Sequence, residues 1–295
     1  MEQYLRVAGL NFAISTDANL AIGEWAHTFH GFAVKQPLDD AYRIHFEDAP
    51  NLKLLFEEDE QKLNLTTKTD DCIRIRYKIG LDTVVDALFY KNATYTKVRM
   101  TLCANGDARM EVCRRNACDA NIDTYIHPLF NTALSHYLLR HHGSLVHSSV
   151  VNDGRNGILF TAVSGTGKST MARLWRENGA HIINDDMNAL CVDNERVVAH
   201  NIPMQLYNQA PRSTPLDAIC LISQSKENYI RRCSGAVAVA RFMTNTLCHI
   251  NDKEASGMHT QNVDDICKRV KIFEVGFKPD ADIVMMIKDT LSRLL

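Results

Sequence analysis

A glycine-rich loop between a strand pattern and a helix pattern is the feature that most constrains the fold of this chain. The apolar run at residues 157–162 predicts a buried strand, and residues 169–178 predict a helix that stops before Gly179. The segment between them is Ser164, Gly165, Thr166, Gly167, Lys168, Ser169 and Thr170. A strand, a loop and a helix in this order predict an α/β core with an anion-binding turn.

Each residue type in this loop suits a phosphate ligand. Glycines let the backbone turn tightly so that several N–H groups point at one phosphate, and the helix that follows adds its positive end. Lys168 supplies a full charge, and the Ser169 hydroxyl suits Mg²⁺. The loop therefore predicts a nucleoside triphosphate, ATP or GTP, with Mg²⁺ bound by residues 164–170. Ala162 stands where the full pattern has glycine, which fits an extended strand end.

Two aspartates follow the next predicted strand, at residues 181–183. Asp185 and Asp186 would lie at the carboxyl end of that strand, where parallel α/β sheets bind ligands. One carboxylate there can bind the metal, and we predict that Asp185 does so together with Ser169. The other can accept the proton of an attacking hydroxyl. Taken alone, the pair is better explained as a turn or as a cap for the element that follows, and only its place after the phosphate loop favours a catalytic role.

His147 is the third candidate, on the predicted strand at residues 144–151. A lone histidine in a strand is usually a packed core residue or a surface residue. Near the γ-phosphate it could donate a hydrogen bond to the transferred group or assist the base.

Together these residues resemble the C-terminal kinase domain of the HPr kinase/phosphorylase family. In that family a histidine precedes the loop lysine by twenty-one residues, and two aspartates follow it by seventeen and eighteen. Here His147 precedes Lys168 by 21 residues (168 − 147), and Asp185 and Asp186 follow by 17 and 18 (185 − 168 and 186 − 168). The resemblance covers residues 140–200 well and residues 140–295 loosely.

The resemblance implies a P-loop kinase core of the HPr kinase/phosphoenolpyruvate carboxykinase type. It implies that Lys168 binds phosphate, that Ser169 and one aspartate bind Mg²⁺, and that Asp186 or Asp185 acts as base beside His147. Thr170 replaces the glutamate of the family, and the segment Glu-x-Arg-Gly-Leu-Gly is missing. The chain is therefore more similar to divergent serine kinases related to the family than to the HPr regulator, and only distantly similar to the carboxykinases.

The residues before the loop show a different sequence pattern. Short alternating runs separated by turn residues predict antiparallel strands, at residues 5–14, 42–46, 52–56, 63–67, 72–79, 95–102 and 110–113. A helix is predicted at residues 129–138. We therefore expect a β-rich N-terminal domain of unknown role over residues 1–122 and a nucleotide-binding domain over residues 123–295.

Composition removes several classes of function. A formal net charge of −2 argues against a general nucleic-acid binder. The sequence contains no run of about 18 apolar residues, so it predicts no membrane span. The first residues lack the pattern of a signal peptide, and the nine cysteines are scattered. We expect reduced thiols and a cytoplasmic protein.

The leading hypothesis is an ATP- and Mg²⁺-dependent phosphotransferase. It would move a γ-phosphoryl group to a hydroxyl, on a protein or peptide serine or on a small metabolite. A non-catalytic module that senses nucleotide and a simple nucleoside triphosphatase remain the alternatives. The sequence names no acceptor, and the resemblance adds the expectation of a homo-oligomer.

Overall fold

The structure of the protein is a computed structural model, and it describes residues 2–22, 29–58, 67–69, 71–91, 94–118, 120–122, 129–204, 209–248 and 253–294. The chain forms two compact units. The first contains Met1–Leu134 and Pro203–Ala210, and the second contains Ser135–Ile202 and Pro211–Leu295. The predicted boundary at 122/123 therefore precedes the observed division, which falls inside a helix, and a short later segment belongs to the first unit.

The first unit is built on antiparallel and parallel strands. Its elements are β1 (Gln3–Val7), β2 (Leu10–Thr16), β3 (Ala21–Ile22), a 3-10 turn (His30–Phe32), β4 (Ala33–Val34), β5 (Tyr42–Asp48), α1 (Leu55–Glu58), β6 (Thr67–Lys68), β7 (Cys72–Ile79), β8 (Asp82–Phe89), β9 (Tyr95–Leu102), β10 (Ala108–Arg114) and β11 (Asn121–Ile122). In the described residues, nine strands form one sheet in the order β4-β1-β2-β5-β10-β9-β8-β7-β6, and β3 pairs with β11.

Several strand predictions for this unit need correction. The run at 5–14 is a hairpin of β1 and β2, which turns at Ala8 and Gly9 with positive φ. Residues 52–56 were expected to be a strand, but α1 begins at Leu55, because a short apolar run does not distinguish a strand from a buried helix. The run at 63–67 lies almost wholly outside the described residues. Not all pairing is antiparallel, since β5 runs parallel to both β2 and β10.

The second unit alternates strands and helices. Helix α2 (Leu129–Arg140) contains the division between the units, and the elements after it are β12 (Gly143–Asn152), β13 (Gly157–Thr161), α3 (Lys168–Glu177), β14 (His181–Asn184), β15 (Met187–Asp193), β16 (Arg196–Asn201), β17 (Ser213–Pro215), β18 (Ala218–Gln224), β19 (Tyr229–Cys233), α4 (Gly235–Met243), β20 (Thr246–Leu247), α5 (Lys253–Arg269), β21 (Lys271–Phe277) and α6 (Asp282–Leu294). The main sheet has the order β17-β16-β15-β12-β13-β18-β21-β19, and β14 and β20 also pair with β12.

The centre of this sheet is buried on both faces. On β13, Phe160 packs in a cluster with Met171 and Trp175 of α3, whereas its neighbour Leu159 packs in a second cluster with Phe242 of α4. Because successive side chains of a strand point to opposite faces, helices cover the two sides of β13, β18 and β21. These three strands are parallel. The expectation of a mixed α/β architecture is confirmed.

Two further observations bear on the sequence analysis. No helix in the described part of the chain is long and apolar enough to cross a membrane. All nine cysteines lie in the described residues, and each is a free thiol.

Asp86 gives a test of the first unit. Its side chain is fully buried, its two carboxylate oxygens lie 2.8 and 3.1 Å from Arg99 nitrogens, and Oδ2 also accepts the Leu55 amide. We expect Asp86→Asn to lower the free energy of unfolding of this unit by about 3 kcal/mol, because the change leaves Arg99 without its counter-charge. Hydrogen exchange of peptides from β8 and β9 measures the loss.

The matched control is Asp71→Asn, which breaks the ion pair between Asp71 and Lys91. The side chains of both residues are mostly exposed. An exposed pair contributes at most about 1 kcal/mol, so protection in β8 and β9 should be unchanged. Equal protection in the Asp86 variant and the control would contradict the prediction.

Candidate functional site

The loop between β13 and α3 passes through two glycines in the left-handed region. Gly165 has φ 81° and Gly167 has φ 115°, and glycine adopts these conformations without the penalty that a Cβ imposes. Gly167 also has no room for a side chain, because a Cβ there would lie 2.7 Å from Cζ of Phe277. The path of the chain into α3 therefore depends on these two residues.

The first turn of α3 faces this loop. The helix begins at Lys168 with Gly167 as its N-cap, and no side chain caps it. The first N–H groups of a helix have no partner within the helix, and the helix dipole places partial positive charge at the same end. This end of α3 can therefore bind an anion.

Lys168 is buried at the base of the loop, with 7% of its surface exposed. Its Nζ donates to the carbonyl oxygens of Ala162 at 3.0 Å and Val163 at 3.4 Å. Burial lowers the pKa of Lys168, and the nearby charges of Asp186 and Asp185 only partly oppose that shift. The ammonium group is therefore partly desolvated, and its electrostatic attraction for an added anion would be strong.

Strand β12 brings the histidine and both aspartates together. His147 Nε2 lies 3.2 Å from Asp186 Oδ1, and the Ser149 hydroxyl donates to Asp185 Oδ1 at 2.5 Å. His147 and Ser149 are two residues apart on one strand, so their side chains lie on the same face. Four predicted residues, His147, Lys168, Asp185 and Asp186, thus form one cluster.

The pairing register of β12 places Asp185 opposite Ser149, whereas Asp186 reaches this face through a bend in the chain. Val150 pairs with Asn184 of β14, and His147 pairs with Met187 of β15. Continuing that register would place Asp186 opposite Ser148, whose side chain points to the other face. The chain instead bends at residues 185–186, and this bend turns the Asp186 carboxylate toward His147.

This geometry corrects one expectation. We expected the aspartates at the carboxyl end of a parallel strand, but β14 is antiparallel to β12 and the chain continues from the bend directly into β15. Because β13 is also antiparallel to β12, β13 and β14 run in the same direction on opposite sides of it. The loop after β13 and the bend after β14 therefore flank the same stretch of β12.

Polar contacts hold the backbone around the bend. The Ser148 amide donates to the Asp186 carbonyl at 2.9 Å. The Asn188 side-chain amide donates to the Ser148 carbonyl at 2.7 Å, and the Thr161 hydroxyl donates to the His147 carbonyl at 2.8 Å. The His147 amide donates to the Asn245 carbonyl at 3.0 Å. His147 and the bend are thus fixed by β13, β15 and the segment after α4.

The other predicted loop residues with hydroxyl side chains differ in burial. Ser164 and Ser169 are exposed, and Thr166 and Thr170 are half-buried. In the part of the chain that the structure describes, no side-chain hydrogen bond joins Ser169 to Asp185, and no group of three or more His, Cys, Asp or Glu side chains is arranged to hold a metal ion. The predicted metal ligands, Ser169 and Asp185, are one hydroxyl and one carboxylate.

This donor set fits Mg²⁺ better than a metal that needs a complete protein cage. Mg²⁺ is usually held by one or two carboxylates, while water and substrate phosphates supply its other ligands. Asp185 offers a second carboxylate oxygen that accepts no hydrogen bond among the described residues.

Ser149, Thr161 and Asn188 were not among the site residues predicted from the sequence. Ser149 lies two residues after His147, which is a signal that it shares the same face of a strand. Its partner Asp185 is 36 residues away in the chain, so only the pairing of β12 with β14 reveals the contact.

A separate groove between α4 and α5 has a volume of about 1190 Å³ and contains none of the predicted site residues. Its lining is mainly apolar, with Val239, Met243, Cys267 and Ile272 among its residues. A large volume alone does not identify a site of chemistry, and the cluster on β12 has the reactive groups.

Comparisons with known proteins add little to this geometry. No protein-family model matches the chain, and no curated protein matches it. Among solved structures, the HPr(Ser) kinase/phosphatase from Coxiella burnetii is similar at 12% identity and a TM-score of 0.30, over 50% of this chain and 93% of that chain. A likeness at this level carries no argument about family or activity, so the family resemblance stays a prediction.

Lys168 gives a test of the site that needs no ligand. We expect Lys168→Met to raise the free energy of unfolding at pH 7, on the order of 1 kcal/mol as for other single stabilising changes. The reason is that burial lowers the pKa of Lys168 below its ordinary value of 10.5. A lysine whose pKa is lowered in the folded state destabilises that state while it is charged.

The direction of this pKa shift also sets how the stability difference between Lys168→Met and wild type depends on pH. The destabilisation is present below the folded pKa of Lys168 and disappears as pH rises toward 10.5, where the unfolded chain also loses the proton. The advantage of Lys168→Met in urea unfolding should therefore shrink between pH 7 and pH 10. Lys226→Met, at an exposed position, is the control and should change stability little at either pH. A Lys168 variant less stable than wild type at pH 7 would contradict the prediction.

Proposed function

We propose that this protein is an ATP- and Mg²⁺-dependent phosphotransferase that moves a γ-phosphoryl group to a hydroxyl. The observation that supports the proposal is the cluster in which β12 holds His147 against Asp186, next to Asp185 and the buried Lys168. A buried cation, an uncapped helix end and two adjacent carboxylates are the groups that phosphoryl transfer needs. We propose further that the second unit is a P-loop kinase core of the HPr kinase/phosphoenolpyruvate carboxykinase type.

In this proposal the loop holds the triphosphate. Backbone N–H groups of residues 164–170 and the first turn of α3 bind phosphate oxygens. Lys168 exchanges its bonds to the Ala162 and Val163 carbonyls for phosphate, which a flexible four-carbon side chain permits. These contacts read phosphates and not the base, so the loop serves ATP or GTP.

In this proposal one aspartate binds the metal and the other acts on the acceptor hydroxyl. Ser169 and Asp185 would hold Mg²⁺, which when bound neutralises charge on the phosphate oxygens. Asp186 accepts the proton of the acceptor hydroxyl, and His147 orients the Asp186 carboxylate through their hydrogen bond. The acceptor oxygen forms a bond to the γ-phosphorus while the bond to the bridging oxygen breaks. ADP leaves with that electron pair, and the half-exposed Asp186 returns its proton to water.

The acceptor in this proposal is a hydroxyl on a protein or peptide serine or on a small molecule. The described residues of the site do not distinguish these two classes.

Asp186→Asn tests the proposed base. We expect the rate of ATP consumption with an accepted hydroxyl substrate to fall by about 10²- to 10⁴-fold, the usual contribution of a general base, while ATP binding stays within a few fold. Turnover is measured as ADP release with candidate acceptors, and binding is measured separately by titration calorimetry. Asp193→Asn, an exposed carboxylate at the far end of β15, is the control and should keep full activity.

The alternatives have distinct outcomes in the same experiment. Tight binding of ATP without turnover across acceptors would contradict the proposal and favour a nucleotide sensor. ATP consumption at the full rate without any acceptor would favour a simple triphosphatase. Unchanged turnover in Asp186→Asn would remove Asp186 as the base.

A further inference from the structure

One face of β12 contacts both aspartates, but through different donors. His147 contacts Asp186, whose side chain is 49% exposed, and Ser149 contacts Asp185 from a position that is fully buried. The two carboxylates are adjacent in sequence and both half-buried, and they differ in the side chain that each contacts. A difference in surroundings of this kind is how one site gives two carboxylates different tasks.

The Ser149 hydroxyl fixes the orientation of Asp185. Its donation to Oδ1 at 2.5 Å occupies one carboxylate oxygen and limits rotation about the side-chain bonds. Ser149 itself cannot move easily, because β12 pairs with β13 on one side and with β14 on the other around this position. The second oxygen, Oδ2, accepts no hydrogen bond among the described residues.

We propose that Ser149 is a positioning residue: it holds Asp185 so that Oδ2 stays available as a ligand for the metal that would accompany the nucleotide. The inference rests on the proposed function and deepens it, because it names the residue that orients Asp185, the carboxylate already assigned to the metal. Hydrogen bonds of this kind to metal-binding carboxylates commonly change metal affinity or activity by roughly tenfold to a hundredfold.

The alternative is that Ser149 only satisfies a buried polar group. Ser148 is the matched control, because it is the adjacent residue, it is equally buried, and its hydroxyl is also hydrogen-bonded. Its contacts are Val146 and Asn188 on the other face of β12. A general cost of removing a buried hydroxyl would appear in both variants, whereas an effect on the metal would appear only at position 149.

A second variant separates hydrogen bonding from packing. Ser149→Cys keeps a side chain of similar size but replaces the hydroxyl by a weak donor. If Ser149 acts by filling space, cysteine restores the wild-type behaviour. If it acts by its hydrogen bond to Asp185, cysteine behaves like alanine.

The experiment measures binding of Mn²⁺ to the full chain in the presence of saturating ADP, by electron paramagnetic resonance. ADP is used so that binding is read without turnover. We expect Ser149→Ala and Ser149→Cys to weaken Mn²⁺ binding by roughly tenfold or more, whereas Ser148→Ala stays within about twofold. Affinity for ADP without metal should be the same in all four proteins, and thermal unfolding confirms that each variant is folded.

A second readout uses ATP turnover against Mg²⁺ concentration. In the Ser149 variants the half-saturating Mg²⁺ concentration should rise by a similar factor, while the maximal rate at high Mg²⁺ recovers to within a few fold. A loss of maximal rate at unchanged Mg²⁺ dependence would overturn the assignment, because it would place Ser149 in the chemical step.

The remaining outcomes are also decisive. Equal Mn²⁺ affinity in Ser149→Ala, Ser148→Ala and wild type overturns the role of Ser149, whether or not the protein is a kinase. If Ser149→Ala does not fold, the cysteine variant decides. A tenfold loss of Mn²⁺ affinity without any phosphotransfer in wild type supports Ser149 and contradicts the proposed function. A wild-type chain that binds no Mn²⁺ with ADP contradicts both.

Discussion

The pairing of β12 with strands on both its sides is the constraint on which the candidate site depends. β13 and β14 are both antiparallel to β12, so the loop that follows one and the bend that follows the other lie beside the same residues of β12. The Ser148 amide, bonded to the Asp186 carbonyl, fixes the bend to the strand. A shift of β12 by one residue would turn His147 and Ser149 to the opposite face and separate them from the carboxylates.

The buried sheet explains why the polar groups are confined to one place. β13 is packed on both faces, with Phe160 in one cluster and Leu159 in the other. Charged groups placed along such a strand would lose hydration without compensation. Beyond the end of β13 at Thr161 the chain enters the glycine-rich loop, and Lys168 and the two aspartates lie near one another there. These polar groups therefore lie past the end of the packed strand, where the Asp186 side chain is half exposed.

Sequence predicts the parts of this site that depend on local chain geometry. The loop at residues 164–170 was predictable because its glycines, lysine and following helix are contiguous. The numbers of residues that separate His147, Asp185 and Asp186 from Lys168 match the spacing in the family that the chain resembles, and this match selected those three residues. Ser149 was not predictable in the same way, since its contact depends on the register of β12 against β14. The helix at Leu55 was predicted as a strand, because its apolar run was too short to show a period.

Among the described residues, Lys168 is buried with hydrogen bonds to two carbonyl oxygens and none to a carboxylate. Two carbonyl oxygens accept its protons, and the aspartates are near enough to oppose the effect of burial on its pKa but not to cancel it. A lysine kept only for stability would pair with a carboxylate or remain in water. A polyanion bound at the α3 terminus would relieve this cost, and the proposed phosphate ligand would then gain the energy that the fold loses at Lys168. Such an exchange of stability for binding is expected at functional sites, and Lys168 lies near the two aspartates and the uncapped end of α3.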